Sequence, residues 1–193
     1  MPIHCAQENI QLPNELLLAI ITELGAEYND TALASCRLAS HVLCSLATPL
    51  LFSSLKLSDA WVFCYDPAAS FLDRGIKLIK LLSIHNIATL VHTFTLHCGQ
   101  AIVHNSNARL LFSEILYRLQ HIRDLAFKFR WTTRNVPFSS FPSDISSAIE
   151  ALCKSPNLTT LDLSNILYFP LRFIAACPNL RCLRLTDVCF EVI

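Results

Sequence analysis

The pattern Leu-x-x-Leu-x-Leu, with apolar substitutes, returns repeatedly along this chain and limits its fold more than any other feature. It reads Leu158-Thr-Thr-Leu161-Asp-Leu163 and then Leu180-Arg-Cys-Leu183-Arg-Leu185, each followed by a short polar turn. Looser copies are Ile122-Arg-Asp-Leu125-Ala-Phe127, Val91-His-Thr-Phe94-Thr-Leu96 and Leu51-Phe-Ser-Ser-Leu55-Lys-Leu57. Taking Leu55, Phe94, Leu125, Leu161 and Leu183 as equivalent gives intervals of 39, 31, 36 and 22 residues. Alternate residues of a strand point to opposite faces, so each copy turns its leucines inward and the residues between them outward.

Ahead of each strand lies an apolar stretch at helical spacing: Phe71 to Ser83, Ala108 to Leu119, Ile145 to Cys153 and Leu171 to Ala176. Twice the link is nearly identical, Cys153-Lys-Ser-Pro156-Asn157-Leu158 and Cys177-Pro178-Asn179-Leu180. Proline ends the helix and asparagine supports the turn. A repeated helix–turn–strand unit predicts a leucine-rich repeat array of the α/β class, with short parallel strands inside and helices outside. Such arrays carry caps at their ends, and this chain stops at Phe190-Glu-Val-Ile193 directly after a strand. The expectation is therefore an incomplete array, truncated at its C-terminal end.

Residues before the repeats have another rhythm. Leu12-Pro-Asn-Glu-Leu16-Leu-Leu-Ala-Ile20-Ile-Thr-Glu-Leu24 opens on a first-turn proline, is apolar at helical spacing, and meets Gly25, which should stop the helix. Asn29-Asp30 offers a cap for a second helix over 31–39, and a third is expected over 40–46, ending near Pro49. Three such short helices must pack on one another, with apolar surface left for a partner.

Three glycines, Gly25, Gly75 and Gly99, cannot build a phosphate loop or a nucleophile elbow. Zero net charge argues against nucleic acid and anionic membranes as partners. Nine cysteines, none in a CxxC pair, read as buried thiols in a reducing compartment, with no zinc site. His85, His92, His97 and His104 lack helical metal-site spacing and an interleaved acid. Cys98 beside His97 would point away from it in a strand, so no catalytic centre and no cofactor are expected. The segment Phe127-Lys-Phe-Arg-Trp131-Thr-Thr-Arg134 mixes aromatics and cations, but a strand burying Leu125, Phe127 and Phe129 explains it without nucleic acid. Residues 38–55 lack formal charge yet hold His41, Thr48, Pro49 and several serines, too many polar groups for a membrane span. With no signal-peptide shape at the N-terminus, the cytosol or nucleus is expected.

Leu12-Pro13-x-Glu15-Leu16-Leu17-x-x-Ile20, Cys36-Arg-Leu38-Ala39-Ser40 and Pro49-Leu50-Leu51-Phe52-Ser-Ser-Leu55-Lys-Leu57 together resemble fungal F-box proteins, in which the same landmarks precede irregular leucine-rich repeats. The resemblance implies an F-box over 10–52 and a repeat array over 53–193. It also implies the role of substrate receptor in an SCF-type (Skp–cullin–F-box) ubiquitin ligase. Carried over by position, the contacts to a Skp-family adaptor, and through it to cullin, would be Leu12, Pro13, Leu16, Ile20 and Leu24, with Leu38 nearby. Leu43 stands where the family usually carries a tryptophan. The alternative is a repeat scaffold with a decayed F-box and no link to ubiquitin.

Target contacts are expected on the outward strand positions Lys56, Thr95, Lys128, Asp162 and Arg184, with Ser58, His97, Arg130 and Ser164 in the next column. Four of these nine are basic and one is acidic, which suits an acidic or phosphorylated target.

Overall fold

The computed structural model describes residues 12–26, 30–58, 67–84, 86–98, 105–129 and 136–191. It divides into two compact units, Met1–Leu51 and Phe52–Ile193. Helices α1 (Asn14–Ala26), α2 (Asp30–Ala39) and α3 (His41–Ser53) make the first. Its core is small: Ile21, Leu33 and Ala47 are buried, with Leu24, Leu43 and Leu50 packed against them. Pro13 sits just ahead of α1, where its carbonyl accepts from the Leu16 and Leu17 amides.

Two helix ends differ from the sequence expectation. Gly25 lies within the last turn of α1 rather than beyond it, and its φ is not positive. A Cβ at this position would meet Leu50 and Leu33 only at ordinary contact distance, so neither crowding nor a left-handed cap requires the glycine. Helix α3 runs through Pro49 to Ser53. The proline leaves the Ser45 carbonyl without its helical donor. Thr48 Oγ1 reinforces the turn before it by donating to the Cys44 carbonyl at 2.6 Å. Leu46, Leu50 and Leu51 pack on the local core from both sides of the proline, which carries the helix past it. Asn29, the expected cap of α2, lies outside the described residues.

The second unit is mixed α/β. Five parallel strands, β1 (Ser54–Ser58), β2 (Thr93–Cys98), β3 (Asp124–Phe129), β5 (Thr160–Ser164) and β7 (Cys182–Thr186), form one sheet in chain order. Leu55, Phe94, Leu125, Leu161 and Leu183 stand opposite one another across it, as the repeated pattern requires. Between strands run α4 (Pro67–Leu82), α5 (Ile87–Leu90), α6 (Ser106–Arg118), α7 (Ser143–Cys153) and α8 (Leu171–Ala175). Helix α4 packs on α6, α6 on α7, and α7 on α8. Burial alternates along β3, where Leu125, Phe127 and Phe129 are buried while Asp124, Ala126 and Lys128 reach solvent. Each fully buried leucine or phenylalanine stabilises by about 1.5–3 kcal/mol, so the stacked inward column is the main source of cohesion.

One backbone device recurs at the entries to β3, β5 and β7. The His92 carbonyl accepts from the amides of Arg123 and Asp124, that of Arg123 from Thr159 and Thr160, and that of Thr159 from Arg181 and Cys182. The Pro-Asn turns add a side-chain link. Asn157 Nδ2 donates to the Gln120 carbonyl at 3.3 Å, and Asn179 Nδ2 donates to that of Pro156 at 2.8 Å. Each asparagine therefore ties its own turn to the preceding one.

Beyond the main sheet, β4 (Val136–Pro137) pairs with β6 (Ile166–Leu167), and Phe169 bridges to Phe190. A short 3-10 turn, Phe138–Ser140, follows β4 and sets Phe138 among three other rings. Its centroid lies 5.1 Å from Phe169 and 5.5 Å from both Phe141 and Phe173.

Two residues of this frame carry measurable predictions. Asn165 follows β5 at φ 61° and donates Nδ2 to the carbonyl of buried Phe129 at 2.6 Å. Losing that donor costs about 1–2 kcal/mol and a left-handed alanine about 1 more, so Asn165→Ala should lose about 2–3 kcal/mol in urea unfolding. Asn165→Gly should recover only the backbone part. In α4, a Cβ on Gly75 would run into Leu111 Cδ2 and approach Leu111 Cγ at 3.0 Å. Rotating Leu111 about χ2 moves the first atom but not the second. Overpacking of about 2 kcal/mol thus outweighs a helix-propensity gain of about 1, and Gly75→Ala should lower the urea midpoint.

Candidate functional site

Two surfaces gather the residues singled out from the sequence. In the first unit, α1 turns Ile21 and Leu24 toward the local core, while Leu16 and Ile20, one turn apart, are 53% and 51% exposed. Leu12, just before the helix, and Leu18 are also about half exposed. Leu38, near the end of α2, is 87% exposed, and Val42 at the start of α3 is exposed too. The structure thus leaves Leu12, Pro13, Leu16, Ile20 and Leu38 open to solvent and places Leu24 in the unit's own core. Six open aliphatic side chains are many for so small a body. Leu43 fills part of the local core.

The second surface is the solvent face of the five-stranded sheet. The register gives one column of Lys56, Thr95, Ala126, Asp162 and Arg184, and a second of Ser58, His97, Lys128, Ser164 and Thr186. Lys128 therefore belongs to the second column, not beside Lys56 as the sequence suggested. Leu125 is the residue opposite Leu55, so the next outward position on β3 is Ala126. Arg130 and the segment 130–134 lie outside the described residues, as do His85 and His104.

Ala126 makes a hollow here. With only a methyl group on β3, the longer side chains around it leave a half-open hollow of about 170 Å³, lined by Thr93, Thr95, Asp124, Thr160, Asp162 and Arg184. Lys128 Nζ reaches Asp162 Oδ2 at 3.1 Å, and the Asp162 side chain is only 14% exposed. Thr93 Oγ1 donates to Asp124 Oδ2 at 3.2 Å. Lys56 and Arg184 are exposed and make no ion pair among the described residues. Sequence alone could not reveal the Lys128–Asp162 pair, because it joins positions two residues out of step on adjacent strands.

The cysteines have a different character. Cys153 is the last residue of α7 and Cys177 lies two residues past α8, where it donates to the Phe173 carbonyl at 3.2 Å. Burial pushes both thiols up, Cys153 strongly, which keeps them protonated at neutral pH. That is the wrong form for a nucleophile or a metal ligand.

Among the described residues no helix is long and apolar enough to cross a membrane. No family model matches the chain, and neither the curated proteins nor the solved structures hold a match to it.

Proposed function

We propose that this chain is the substrate-recruiting subunit of an SCF-type ubiquitin ligase. In this reading residues 10–52 are an F-box that docks on a Skp-family adaptor, and residues 53–193 are leucine-rich repeats that hold a target protein. The observation that carries the proposal is the exposure of Leu16 and Ile20 on a helix whose Ile21 is buried. A helix that only closed its own small core would have no use for large aliphatic side chains at these two open positions, whereas a docking helix needs them there. The parallel sheet with its in-register leucine column supports the repeat half of the reading.

The mechanism is tethering. Adaptor and cullin bind through the first unit, the target binds the second, and the target's lysines meet the ubiquitin-charged subunit at raised effective concentration. This chain performs no bond chemistry, and neither a cofactor nor a metal takes part.

Co-expression with a Skp-family adaptor and co-purification through a tag on the adaptor tests the proposal. Retention of the chain at equal stoichiometry after gel filtration supports it. Failure of a folded chain to be retained assigns it instead to the scaffold alternative, in which Leu43 at the usual tryptophan position marks a decayed F-box.

A further inference from the structure

The outward face of the sheet, read strand by strand, has a charge pattern with a definite spacing. Along the first column the order is cation, hydroxyl, methyl, carboxylate, cation: Lys56, Thr95, Ala126, Asp162, Arg184. The carboxylate is cancelled locally, because Lys128 Nζ lies 3.1 Å from Asp162 Oδ2 and the acid is largely covered. The column therefore presents two open positive charges at its ends, with the hollow over Ala126 reaching from between them to Arg184. Asp124, two residues before Ala126 on β3, lines the hollow beside Thr93, whose hydroxyl donates to its carboxylate.

Lys56 lies on β1 and Arg184 on β7, four strand spacings apart. At about 4.8 Å per spacing their backbones are separated by roughly 19 Å, the length of about six residues of extended peptide. We infer that this face binds an extended acidic segment of a protein target, laid across the strands, with carboxylates about six residues apart on Lys56 and Arg184 and an intervening side chain in the hollow over Ala126. The inference rests on the reading of the sheet as the target-holding surface, and it names the chemistry of that target. Both contacts are charge-assisted and lie at the rim, so binding weakens as salt rises.

The test is fluorescence anisotropy of fluorescein-labelled decaglutamate with the full chain at low salt. Decalysine serves as the control probe, and Lys56→Glu and Arg184→Glu are compared with the charge-matched Lys80→Glu on α4. Each column reversal should weaken decaglutamate binding by about tenfold, with the double variant beyond detection, while Lys80→Glu stays within about twofold of the native chain. Absence of decaglutamate binding, stronger binding of decalysine, or an equal loss in Lys80→Glu would overturn the inference. Adaptor co-purification on the same preparations separates the two claims. A native chain that retains adaptor but ignores decaglutamate sinks only the peptide reading. One that binds decaglutamate through this column but not adaptor keeps this face and loses the ligase assignment.

Discussion

A chain carrying both Leu16→Asp and Ile20→Asp should remain folded and fail to associate with a Skp-family adaptor that retains the native chain. Both side chains are about half exposed, so aspartate there meets water in the free protein and costs the fold little. The unit's core residues Ile21, Leu33 and Ala47 are untouched. In the complex, two carboxylates would have to leave water for an apolar contact without partners, at several kcal/mol. Each 1.4 kcal/mol is about tenfold in affinity, so the loss should exceed a hundredfold and empty the co-purified band. Circular dichroism and the urea midpoint should match the native chain. A double variant that is folded and still retained would show that the adaptor uses another surface.

The second large effect lies far from any partner. Phe138→Ala should cost about 3–5 kcal/mol, the range for truncating a buried phenylalanine. Phe138 touches the rings of Phe141, Phe169 and Phe173, nearly edge to face with the last two, and those contacts add to the plain loss of area. A domain with about 5–15 kcal/mol in hand would keep only part of its stability. Phe138→Leu, which refills much of the volume, should lose far less. The readout is the urea unfolding curve followed by far-UV circular dichroism. A loss below about 1 kcal/mol for the alanine variant would mean that the four rings do not pack as a unit.

How much of this was written in the sequence differs from element to element. The main sheet was legible because an inward column needs large apolar residues at fixed steps, and Leu55, Phe94, Leu125, Leu161 and Leu183 supply them. The helices before the two Pro-Asn turns were legible for the same local reason, whereas α4, which has no such turn after it, starts earlier than its periodicity suggested. The path of α3 through Pro49 was not legible, since proline's local veto is outweighed only by the packing of Leu50 and Leu51, a tertiary fact. Nor was the ladder of β4 and β6, whose two-residue strands are too short for any periodicity. On the sheet's solvent face the alternation was legible, but Ser164, expected outward, is buried, and the place of Lys128 depended on Ala126, a residue with no polar group to draw notice. The ring cluster was hidden because Phe138 and Phe169 are 31 positions apart and neither lies in the repeated pattern.

One feature of β7 bears on how the second unit opens. Leu183 and Leu185 are 40% and 42% exposed, whereas Leu161 and Leu163, their neighbours on β5, are fully buried. Strands in such a row are stabilised only by those beside them, so opening free energy rises from β7 inward. Amide hydrogens of β7 should thus trade for deuterium first and those of β3 last, and the second unit would come apart by peeling from one side rather than in a single step.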